Sequence, residues 1–89
     1  MASILIGYDL NKQKNYAALI EAIEELSDTR WHCLDSTWII VTETPCKVIR
    51  DRLRGHIDED DELLVVKLSG SGAWAGFKGE CKSWLKENL

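Results

Sequence analysis

Asp9 is the residue whose type and setting point most directly to chemistry. It directly follows Tyr8, at the end of the apolar run ILIGY. A carboxylate there can bind a hard cation, or it can accept bonds from loop N–H groups and fix the turn. His32 and Cys33 are adjacent in a strand-like segment, so their side chains point to opposite faces and do not form a nucleophile pair. Residues 58–62 (DEDDE) are an unbroken acidic run without the spaced ligands and glycine of a calcium loop. That run reads as a solvated connector that discourages edge pairing. Lys47, Arg50, Arg52 and Arg54 form the one basic cluster, partly offset by Asp51, and Arg30 stands apart from it. If the chain touches phosphate, Arg30, Arg50, Arg52 and Arg54 are the candidates. The glycine-rich segment SGSG at 69–72 has neither the lysine nor the flanking helix of a phosphate loop.

The bulk properties bound what such residues can serve. The chain has 89 residues, 45 % of them hydrophobic and 29 % charged, and a net charge of −4. That length suits one domain with a small core, and burying more surface by self-association would stabilise it. The acidic balance argues against a protein that coats nucleic acid, since such binding rests on many cations. The three cysteines are far apart and show no CxxC spacing, so a zinc site is not indicated. Reduced thiols in a cytoplasmic protein are the expectation. No basic start or cleavage pattern of a secretory leader follows Met1, and no apolar stretch is long enough to span a membrane.

The elements that must position these residues follow from periodicity. Residues 3–8 read as a central strand, apolar on both faces. Residues 9–14 form a polar loop, with Asn15 as the cap of a helix over 16–26. That helix places Tyr16, Leu19, Ile20, Ile23 and Leu26 on one face. Residues 30–34 and 38–42 are strands joined at Asp35-Ser36 as a hairpin. Thr44 as cap and Pro45 as first helical residue open a second helix to Arg54, with Val48, Ile49 and Leu53 inward. Gly55 stops it. Residues 63–68 are the fourth strand, 73–77 a short strand or an irregular arm, and 80–89 a short amphipathic helix.

The order predicts an α+β domain of ferredoxin-like kind, βαββαβ, with two helices on one face of an antiparallel sheet. A core over 1–68 is followed by a C-terminal arm and helix over 69–89. The strands are apolar on both faces, so a second copy of the chain is expected to cover the face that the helices leave open. Among the four tryptophans, Trp74 beyond the SGSG segment, Trp84 and Trp38 are the candidates for that interface.

The opening ILIGYDLN, the hairpin RWHCLDSTWIIVTE and the segment DDELLVVKLSGSGAW resemble a family of short bacterial and phage proteins, sometimes labelled SinR-like. That family belongs to the superfamily of the small CRISPR adaptation subunit, to which VapD-type toxins are related. The resemblance implies a ferredoxin-like homodimer of mobile-element or defence context. It also implies that Asp9 of two copies would face each other and share magnesium for phosphodiester cleavage; Asn11, two residues on, is a candidate to add an oxygen. The favoured expectation is a non-catalytic homodimeric module that binds nucleic acid, a nucleotide or a protein. The alternative is a magnesium-dependent endonuclease, or a VapD-like toxin ribonuclease, using Asp9 at the dimer axis.

Overall fold

The computed structural model describes residues 2–10 and 16–89. Its elements are β1 (Ala2–Asp9), α1 (Ala17–Glu24), β2 (Arg30–Leu34), β3 (Thr37–Thr42), α2 (Cys46–Arg54), β4 (Glu62–Lys67) and α3 (Gly79–Asn88). The four strands form one open antiparallel sheet in the order β2-β3-β1-β4. The fold is thus α+β, with three helices among the described residues. Asn11 and Asn15, assigned a ligand role and a cap role from sequence, lie outside the described residues.

Alternation decides which side chains go where. Ile4, Ile6 and Tyr8 of β1 and Trp38 and Ile40 of β3 point to one face. There they meet Leu19 and Ile23 of α1 and Ile49 and Leu53 of α2, all buried. Both helices therefore present residues four apart to the same side of the sheet. Leu63 and Val65 of β4 pack against the edge of this cluster. Two details differ from the sequence reading. Val48 is exposed, because it lies on the solvent side of the turn that buries Ile49. Pro45, not Thr44, is the residue before α2; the Thr44 N–H is taken by the Thr42 hydroxyl at 3.2 Å.

The opposite face has its own cover, supplied by the same chain. Leu85 of α3 is buried against Trp31 of β2 and Ile39 of β3, with Trp74, Phe77, Trp84 and Leu89 packed around them. Phe77 meets Trp31 edge-on, the ring centroids 5.1 Å apart. The Trp31 indole N–H donates to the Cys81 carbonyl at 3.1 Å, and the Ser3 hydroxyl donates to the Asn88 carbonyl at 2.8 Å. Residues 73–77 form no strand. Cys33 of β2 is joined to Cys81 of α3 by a disulfide, with Cα atoms 6.3 Å apart and a separation of 48 positions in sequence. This corrects the expectation of reduced thiols, which rested on the absence of local spacing; the partners meet only once α3 folds back. Cys46 remains a free thiol.

Candidate functional site

Asp9 closes β1 and is exposed. Its Cα partner across the β1–β4 ladder is Glu62. Directly opposed residues of an antiparallel pair share a face, so the two side chains project from the face away from α1 and α2. Beside them, Gly7 opposes Leu64. Gly7, Tyr8, Asp9, Glu62, Leu63 and Leu64 line a shallow depression at this end of the sheet. The site thus holds two carboxylates, and the second comes from the acid-rich lead into β4. Sequence reasoning missed Glu62 because the two residues are 53 positions apart (62 − 9). Only the strand register brings them together.

The acidic run forms a tight turn before β4. The Asp58 N–H donates to an Asp61 carboxylate oxygen at 2.8 Å, and the Asp61 N–H donates to the Asp58 carbonyl at 3.1 Å. Carboxylate atoms of Asp58, Asp60 and Asp61 lie within 4.8 Å of one another. The reciprocal bonds between Asp58 and Asp61 close residues 58–61 as a turn.

The structure does not assemble the four arginines into one surface. Arg50 and Arg54 are one helical turn apart and both reach the Asp51 carboxylate, at 2.8 and 3.4 Å. The Arg50 hydrogen bond, with the charges of Arg50, Arg54 and Lys47, holds the Asp51 carboxyl below the usual range. Arg52 lines a separate depression with Ala22, Glu25, Leu26 and His56. Arg30 donates to the carbonyls of Glu24 and Ser27 at 3.0 and 2.9 Å. It thereby closes the C-terminus of α1, where carbonyls have no helical partner.

Trp38, expected at an interface, is instead 5 % exposed in the core beneath the helices. Its indole N–H donates to the Tyr8 hydroxyl at 3.3 Å. His32 stacks on it with ring centroids 3.9 Å apart, and its Nε2 lies 3.2 Å from the Asp35 carbonyl. A carbonyl only accepts, so Nε2 carries the proton of that bond. His32 serves as a lid on Trp38, on the face opposite Cys33. Trp74 and Trp84 are half-buried in the cover over the second face.

An apolar strip remains on that second face. Leu64 and Val66 of the edge strand β4 are 56 % and 36 % exposed, and Leu5, the partner of Val66, is half-buried beside them. A depression of about 600 Å³ lies at the other end of the sheet among Ser3, Thr44, Lys67 and Ser69. It contains neither Asp9 nor any of the four arginines. Among the described residues, no helix is long and apolar enough to cross a membrane.

No family model, curated protein or solved structure matches the chain.

Proposed function

We propose that the chain is a non-catalytic, ferredoxin-like module that acts by association, its first partner being a second copy of itself. The observation that carries this reading is the exposed pair Leu64 and Val66 on the edge strand, on the face away from α1 and α2. An edge strand offers unpaired backbone groups as well as side chains. A two-fold axis normal to the sheet at Val65 would set Leu64 of one copy beside Val66 of the other, twice. The same surface is then complementary to itself, as an isologous dimer requires. The ferredoxin-like reading is supported by β1 and β3 at the centre of the sheet and by α1 and α2 on one face; α3 is an addition to that pattern.

Association with protein rather than nucleic acid is favoured by the engagement of Arg30, Arg50 and Arg54 within the chain, and by the net charge of −4. The resemblance to the small CRISPR adaptation subunit and its SinR-like relatives supports a defence or mobile-element context. A cytoplasmic setting belongs to the same reading, and there a disulfide is expected to open and close rather than stay shut. Sedimentation equilibrium at micromolar concentration tests the proposal. The expected mass is twice 10.1 kDa. A single species of monomer mass under oxidising and reducing conditions alike would overturn it.

A second reading is favoured by one observation, the opposition of Asp9 and Glu62. Two carboxylates on one face can hold a magnesium ion while leaving positions for water and phosphate oxygens. The chain would then be a metal-dependent endonuclease or VapD-like ribonuclease. Magnesium-dependent cleavage by the wild type, lost in a folded Asp9→Asn protein, would establish it.

A further inference from the structure

We propose that the Cys33–Cys81 disulfide is a redox latch that holds the C-terminal segment, residues 69–89, as a removable cover on the second face of the sheet. The sheet separates two apolar clusters. One lies under α1 and α2 and contains nine buried residues, among them Ile6, Ile23, Ile40 and Leu53. The other contains three, Trp31, Ile39 and Leu85, and Leu85 is the one buried residue of α3. The second cluster can therefore be dismantled without opening the first.

What holds α3 in place apart from the disulfide is modest. Among the described residues it includes Leu85, the half-buried side chains of Leu68, Trp74, Phe77, Trp84 and Leu89, and the hydrogen bonds from Trp31 and Ser3. A helix of 10 residues is not stable alone in water. The connection before it, residues 68–78, contains no helix or strand. Gly70, Gly76 and Gly79 have φ of 88°, 87° and 58°, backbone conformations that turn the chain freely at little cost only for glycine. Both cysteines are partly exposed, so a reductant can reach them.

Opening the latch takes two electrons and two protons from a dithiol. The Cys33–Cys81 S–S bond breaks, two S–H groups form, and the dithiol closes to its own disulfide. The cover then loses its covalent anchor, and Trp31 and Ile39 join Leu5, Leu64 and Val66 on one continuous apolar face. Cys46 lies in a different part of the fold and takes no part.

Hydrogen exchange on the full chain tests the latch, with and without dithiothreitol, alongside a thiol count by mass after alkylation. The oxidised protein is expected to alkylate once, at Cys46, and the reduced protein three times. On reduction the amides of α3 are expected to lose protection by roughly 100- to 1,000-fold, the order of the closure entropy of so long a loop. Amides of β1 and β3 are expected to keep at least most of theirs. Cys33→Ser is expected to match the reduced wild type without reductant, and Cys46→Ser to behave as wild type. Three reactive thiols after aerobic purification, unchanged α3 protection after complete reduction, or equal loss in α3 and the central strands would each overturn the proposal.

Discussion

Asp9 and Glu62 stand directly opposite each other at one end of the β1–β4 ladder, two acids on one face of the sheet. Like charges in that position repel. The sequence points to Asp9 as an acceptor for loop N–H groups, and on that basis its replacement should destabilise. The register adds an effect of the opposite sign. Asp9→Asn should raise stability by roughly 0.2 to 1 kcal/mol at low ionic strength, and the gain should shrink as salt screens the pair. Denaturant unfolding at two salt concentrations measures both effects. A magnesium-specific rise in wild-type melting temperature, absent with sodium chloride of equal ionic strength and absent in Asp9→Asn, would favour the metal reading instead.

Arg30 closes a helix end, and this predicts which property its loss will affect. Its guanidinium bridges the carbonyls of Glu24 and Ser27 across the α1–β2 turn. Arg30→Ala should lower unfolding stability by about 0.5 to 1.5 kcal/mol, the net range for such bonds. Any binding to duplex DNA at moderate salt should stay unchanged within error, in an anisotropy titration of both proteins. A large loss of DNA affinity with stability intact would return Arg30 to the binding surface.

Val48 and Ile49 are neighbours on α2 with opposite fates. Ile49 is fully buried, whereas Val48 is 38 % exposed. Ile49→Ala removes buried methyl groups from a packed cluster and should cost about 2 to 5 kcal/mol. Val48→Ala leaves no cavity and should change stability by less than about 0.5 kcal/mol. Urea unfolding of the two variants should separate them clearly; equal losses would mean that Val48 is covered in solution, as it would be at an interface.

Local patterns in the sequence reach some of this structure and not the rest. Ile4, Ile6 and Tyr8 alternate with Leu5 and Gly7, so both the strand and its two faces are readable. The four-residue steps from Leu19 to Ile23 and from Ile49 to Leu53 likewise mark helix faces that the structure buries. Val48 falls on the solvent side although the sequence places it inward, because a valine adjoining an apolar stripe looks the same in sequence whether it falls just inside or just outside. Strands apolar on both faces show that the second face needs a cover, but nothing local in the sequence shows that residues 69–89 supply it. Leu85 on Trp31, and Cys81 on Cys33, are contacts across about fifty residues, and no periodicity specifies them. Glu62 escaped for the same reason, because register is a tertiary property.

Self-association can be tested at the two side chains that argue for it. Leu64 and Val66 are exposed in one copy, so replacing them with lysine should leave the fold nearly unaffected, within about 0.5 kcal/mol. In a dimer the same changes bring like charges and unpaired ammonium groups into the contact, an arrangement that costs several kcal/mol. Leu64→Lys and Val66→Lys should therefore shift the sedimenting mass to 10.1 kDa with circular dichroism unchanged. Trp84→Ala provides the contrast, since its side chain packs in the cover against α3's own sheet face. It should loosen α3 while leaving the mass at that of a dimer. Lysine variants that remain dimeric would place the contact elsewhere, and a Trp84→Ala protein that dissociates would place it on the cover.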